Sequence, residues 1–234
     1  MESNRIPLSA SEVETIRQLR ELHGNLPAGY PSAIEGILRR SRVLLTAVME
    51  TSPDGLHSGQ VALLGILYRT HELFLGGLEQ LCRGHKHVWA SCLRGLVETF
   101  GATVFVTEKP NRLESLVRGT GVKVSRLREA AKRRISGLRA DVEWLDAVSH
   151  PGTTSMFLGM RIANEADRLT IFAVPPPSLD AEEVNNGVDV LIGVCQLIQD
   201  EVSTILCRSV DVITAGQVIG VPVWKGGSVE EPKA

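Results

Sequence analysis

Aromatic residues are scarce, 4% of the 234-residue chain. RNA-binding sheets and single-strand-binding barrels stack bases on exposed aromatic platforms. Their scarcity argues against modules of that type and for a core of Leu, Val, Ile and Ala. Neither sign of charge is in excess, with 25 basic against 27 acidic residues and a formal net charge of −2, so composition alone names no polyanionic or polycationic partner. The four cysteines, Cys82, Cys92, Cys195 and Cys207, form no CxxC pair. Each lies in an apolar helical pattern, so they are read as reduced core residues, with no zinc site expected.

Long hydrophobic runs are also missing. The stretches around Val61 to Leu67 and Val188 to Ile198 are broken by Gly, Asp, Cys or Gln before the roughly 20 residues that cross a bilayer, so no membrane span is expected. The opening MESNRIPLSASEVETIRQ shows neither a basic patch followed by an apolar run nor an Arg-rich, acid-free leader, which makes a cytoplasmic location the expectation. There is no GxxxxGK[ST] loop, no GxGxxG after a strand, no HExxH and no GxSxG elbow, and no cofactor or metal is called for. These absences exclude well-marked enzyme families only, because a helical enzyme assembled from scattered residues leaves no such trace.

What is present is helical periodicity. A first helix starts at Ser9 or Ser11, with Glu12 and Glu14 in its first turn, and reaches Leu22 before Gly24. A second carries Ile34, Ile37, Leu38, Leu44 and Val48 and closes at the turn signal Ser52 to Gly55, with Arg39, Arg40 and Arg42 read as solvated. A third, from about Ser58 to Leu81, is apolar over much of its circumference and belongs in the middle of a bundle. It carries a polar insert in which Arg69 and Glu72 stand at i, i+3. A turn at Arg83 to His87 leads to a fourth helix, from about Val88 to Val106. A short piece follows Pro110, and then a helix runs from Lys123 to Leu145 on a stripe of Val124, Leu127, Ala131, Ile135, Leu138, Val142 and Leu145.

Next, the period changes. Residues 155–162 and 168–174 are rich in β-branched residues, Met and Phe around NEAD, which predicts a small hairpin. Pro175 to Pro177 form a stiff spacer. A last helix runs from Asp180 towards Gly216. The expected fold is therefore mainly all-α, a bundle of about five or six helices with a β-hairpin before the last long one. Residues 1–217 are read as a single domain, with an N-terminal helical pair at 8–52 and a core at 56–216, and 218–234 as a tail.

Three features carry chemistry or its structural counterpart. Arg94 and Glu98 sit one turn apart on an otherwise buried helix. They are read as an ion pair or inter-helix clasp, with an anion-binding guanidinium oriented by a carboxylate as the alternative. His150, before Pro151 and Gly152, is read as a cation at the negative end of its own helix, with a general acid or base as the alternative. The run Arg126, Arg128, Lys132, Arg133, Arg134 and Arg139, against only Glu129, is read as a solvated face pointing outward, with contacts to RNA phosphates as the alternative.

CLRGLVETF at Cys92 to Phe100 and DAVSHPG at Asp146 to Gly152 resemble a bacterial domain-of-unknown-function family of HEPN-like helical bundle proteins. With the hairpin and last helix the resemblance spans roughly Leu56 to Ala215. It implies a site where Arg94, Glu98 and His150 converge. Active HEPN ribonucleases carry an Arg four to six residues before a His and cleave RNA across a dimer interface without metal. Here those places hold Trp144, Leu145 and Asp146, and the nearest upstream arginine is Arg139. Arg17 and His23 have the spacing but lie outside the matching region. The function expected is a non-enzymatic interaction or scaffold protein, a homo-oligomer or a binder of a protein partner, of the kind that accompanies bacterial defence or toxin–antitoxin systems. The alternatives are a metal-independent ribonuclease or nucleotide-binding enzyme and a small-ligand sensor.

Overall fold

The computed structural model describes residues 9–22, 29–52, 55–118, 122–135, 145, 160–165, 168–173, 181–214 and 218–220. Their architecture is an all-α bundle. Helix α1 (Ala10–Leu22) and α2 (Tyr30–Glu50) precede α3 (Ser58–Cys82) and α4 (Lys86–Glu108). A 3₁₀ turn at Pro110–Arg112 leads into α5 (Leu113–Arg118), followed by α6 (Val124–Arg134), α7 (Ala181–Arg208) and α8 (Val210–Thr214).

Helices α3, α4 and α7 pack on one another at the centre. Around them α2 lies against α7 and α3, α1 against α3, and α6 against α4. The three-and-four spacing of apolar residues decides which faces turn inward. On α7, Val184, Val188, Leu191, Cys195, Ile198 and Val202 are fully buried; on α3 the same holds for Leu63, Leu67 and Leu78, with Phe74 and Leu81 all but buried. Each such side chain contributes roughly 1.5–3 kcal/mol on leaving water. Helix α3 and residues 182–208 of α7 are long and apolar enough to cross a membrane by length and composition. Within the bundle 39% and 50% of those apolar windows are buried.

The α3–α4 turn follows from a single glycine. Gly84 has φ 71°, in the left-handed region that residues with a Cβ avoid. The amide of Gly84 donates to the carbonyl of Leu81 (3.0 Å) and that of His85 to the carbonyl of Gln80 (2.9 Å), the paired bonds that close a helix at a left-handed residue.

The hairpin is present. Strand β2 (Met160–Glu165) pairs antiparallel with β3 (Arg168–Ala173), from Met160 opposite Ala173 to Glu165 opposite Arg168. A second small pairing joins β1 (Leu56–His57) to β4 (Val218–Gly220), so the segment read as a tail returns to the start of α3.

Two expected helices end early among the described residues. The helix expected over Lys123 to Leu145 stops at Arg134, where Ile135 is extended (φ −120°, ψ 115°). Ile135, Ser136 and Gly137 are all weaker helix formers than the Ala, Lys and Arg before them, and the apolar stripe hid that change. The last helix divides at Ser209, where the amide of Ser209 closes α7 on Ile205 and its carbonyl opens α8 by accepting from Ile213. Serine favours helix starts over helix interiors. One cysteine also departs from expectation: Cys82 and Cys195 are buried and Cys92 half-buried, but Cys207 is exposed.

Candidate functional site

Helices α4 and α6 approach most closely at Gly101, where a Cβ would lie 2.1 Å from the carbonyl oxygen of Leu127. Only glycine admits that contact. The approach brings Arg128 of α6 to the face of α4 that carries Arg94 and Glu98. Arg94 Nε donates to Glu98 Oε1 at 3.2 Å, and Arg128 Nη2 donates to the same oxygen at 2.8 Å. The three side chains retain 21%, 19% and 18% exposure, so the pairs are shielded from solvent far more than surface ion pairs, whose net value is small. Glu98 bridges two guanidiniums and fastens α6 to α4. Arg94 is thus committed as the clasp reading expects, and the third member is Arg128, which was expected to be solvated.

The rest of the basic helix keeps the solvated face expected of it, with Arg133 and Arg134 57% and 61% exposed, and forms ion pairs at that surface. Arg133 pairs with Glu108 of α4 (3.1 Å), Arg134 with Glu201 of α7 (2.9 Å) and Lys132 with Glu129 (3.4 Å). Arg126 is exposed. Counting carboxylates along α6 alone found Glu129 and missed Glu98, Glu108 and Glu201, which other helices supply. Beside this surface Arg112 lies over the Phe105 ring, 3.9 Å from its centroid, an arrangement favoured by the ring's negative face. His150 and Arg139 lie outside the described residues; of the trio Arg94, Glu98 and His150, the structure joins the first two.

A buried polar cluster that sequence reasoning missed fixes α1. Ser9 and Glu12 form a capping box, with the Glu12 amide donating to Ser9 Oγ (3.3 Å) and the Ser9 amide donating to the Glu12 carboxylate. The pattern S-x-x-E is legible in the sequence. What is not legible is that Glu12 is fully buried, pairs with Arg42 of α2 and lies 3.4 Å from His71 Nε2 of α3. Arg42, expected in solvent, is therefore half of a buried ion pair. Burial lowers the His71 pKa from its ordinary value, opposed by Glu12 and reinforced by Arg42. His71 Nδ1 and Glu12 Oε1 are buried without hydrogen-bond partners.

Other buried polar groups tie helices together. Gln60 donates to the Val48 carbonyl (3.1 Å) and Thr51 Oγ1 (3.0 Å), and Gln199 to the Ile37 carbonyl and Ser41 Oγ (both 2.9 Å). The α4 hydroxyls of Thr99, Thr103 and Thr107 each donate to the carbonyl four residues earlier. The expected Arg69–Glu72 pairing is replaced by a Tyr68–Glu72 hydrogen bond, which raises the Tyr68 pKa. Burial pushes the Cys82 thiol up to about 12 and raises those of Cys92 and Cys195, which keeps these sulfurs protonated and unreactive.

A cavity of about 560 Å³ opens between α3, α4, α5 and α6, with Arg69, Glu98 and Thr99 in its wall. Among the described residues no group of three His, Cys, Asp or Glu side chains converges to hold a metal ion. No protein family, curated protein or solved structure matches this chain.

Proposed function

We propose that this helical bundle works as a non-enzymatic interaction or scaffold protein. The observation that supports this reading is the commitment of Arg94, Glu98 and Arg128 to one another. A phosphate clamp needs a guanidinium aimed at open space, whereas these two guanidiniums converge on one carboxylate and hold two helices together. The buried amides of Gln60 and Gln199 likewise join helices. The same reading takes the chain as a homo-oligomer or the binder of a protein partner, cytoplasmic, HEPN-like, and an accessory of a bacterial defence or toxin–antitoxin type system. Exposed apolar side chains on separate helices, Val13, Val43 and Tyr68 among them, are available to such contacts.

The alternative is a metal-independent ribonuclease with His150 as acid or base, Arg94 on phosphate, Glu98 orienting it, and Arg126, Arg128, Lys132, Arg133 and Arg139 holding RNA. Incubating a labelled RNA pool with the purified protein in EDTA separates the two. The expected outcome is no cleavage, with sedimentation showing a concentration-dependent assembly and Arg94→Ala lowering the melting temperature. Cleavage that disappears in both Arg94→Ala and His150→Ala, at matched folding, would establish the nuclease instead.

A further inference from the structure

A glycine inside a helix costs stability unless its missing side chain serves something. Several helical glycines here are explained by close contact: a Cβ at Gly59 would lie 2.6 Å from the Ile213 carbonyl oxygen, and one at Gly95 2.8 Å from Leu73. Gly65, in the middle of α3, has no such neighbour. A Cβ there would meet nothing within 4 Å, and the residue lines the cavity between α3, α4, α5 and α6. At about 560 Å³ that cavity lies inside the range of roughly 300–1,000 Å³ typical of small-molecule sites.

Its wall is chemically two-sided. Ile66, Ala102, Leu116 and Leu127 supply apolar surface. Arg69, one turn beyond Gly65 on the same helix, supplies a cation. Arg69 is exposed and makes no ion pair among the described residues, since Glu72 is engaged by Tyr68 and Glu98 already accepts from Arg94 and Arg128. Within the cavity wall Arg69 is the guanidinium that makes no ion pair among the described residues, whereas Glu98 is already engaged by Arg94 and Arg128.

We propose that the cavity binds a small organic monocarboxylate, with its apolar body against Ile66, Ala102, Leu116 and Leu127 and its carboxylate on Arg69. The site is independent of the interaction role proposed above. A guanidinium recognises a carboxylate through two parallel charge-assisted hydrogen bonds, and the space left by Gly65 admits the chain beside them. Amines are disfavoured by the cation of Arg69, and Glu98 Oε1 already accepts from two arginines.

Calorimetric titration of the full-length protein with octanoate tests this, with octylammonium as the charge-reversed probe and octan-1-ol as the neutral one. Saturable binding of octanoate is expected, with octylammonium not bound. Arg69→Gln should weaken octanoate by about tenfold or more while leaving octan-1-ol unchanged. Gly65→Leu, whose Cβ meets nothing within 4 Å and whose side chain takes up space in the cavity, should abolish binding of both. Gly36→Leu on α2, equally open but away from the cavity, should bind like wild type and shows that the Gly65 variant loses space rather than fold. The proposal is overturned if octanoate shows no saturable binding, if it binds Arg69→Gln or Gly65→Leu as tightly as wild type, or if octylammonium binds as well as octanoate.

Discussion

Glu12 shows how much a single side chain can be misread from its neighbours. In the first turn of a helix a carboxylate is ordinarily a solvated complement to the helix dipole; here it is fully buried on Arg42 beside His71. Removing one partner of such a pair leaves a charge without compensation. Glu12→Gln is therefore expected to destabilise the protein by about 3 kcal/mol, read from the shift of the urea midpoint at constant m. An effect below a few tenths would mean that Arg42 finds water when Glu12 is neutral.

His71 adds a pH dependence to the same contact. Its pKa is lowered from 6.5 in the folded chain, first by burial, so below 6.5 the unfolded chain binds the proton more readily than the native one. The stability associated with the neutral ring is complete above pH 6.5 and declines as pH falls from there through the lowered native value. Unfolding free energy measured between pH 7.5 and pH 5 is expected to fall more steeply for wild type than for His71→Gln. Parallel curves would assign the acid sensitivity to carboxylates.

Among the helices, α4 and α6 are set by backbone proximity more than by side-chain volume. At Gly101 a methyl group would overlap the Leu127 carbonyl, and α6 would have to move away and stretch the Glu98–Arg128 contact. Gly101→Ala is expected to cost about 3 kcal/mol, whereas Gly36→Ala, in open space on α2, should stabilise by about 0.5–1 kcal/mol. Thermal melts of the two variants would display the opposite signs; equal behaviour would show that α6 moves away freely.

The element scale is also where sequence reading was most and least successful. Periodicity placed α2, α3, α4 and the start of α7 within a few residues, because a three-and-four apolar stripe is the cause of a helix's burial and not only its correlate. It also placed the hairpin, where β-branched residues replace that stripe. It ran through Ile135 and Ser209, since a stripe records which residues are apolar and says nothing about whether the backbone between them stays helical. The Arg94–Glu98 pair was legible because both partners lie on one helix. Arg128, Glu108 and Glu201 were not, because their partners stand on different helices.

For the whole molecule, four cysteines report how the bundle is closed. Cys82 and Cys195 are buried with their thiols held protonated, and Cys207 alone is exposed. A thiol reagent applied to the native protein should label Cys207 rapidly and Cys92 slowly, and reach Cys82 and Cys195 only on unfolding. Prompt labelling of Cys195 would mean that the α3–α4–α7 centre opens on a short timescale.

Residue polarity at a fixed helical period dictates the fold class, the central helices and the faces they bury. It dictates as well that Arg94 and Glu98, one turn apart on α4, meet, but not that Tyr68 takes Glu72 from Arg69 on α3. Tertiary packing alone buries Glu12 on Arg42, answers cations of α6 from α4 and α7, and opens Gly65 onto a cavity beside an Arg69 that makes no ion pair among the described residues. Those outcomes depend on which helix packs against which, and at what distance, and no local pattern in the chain encodes that.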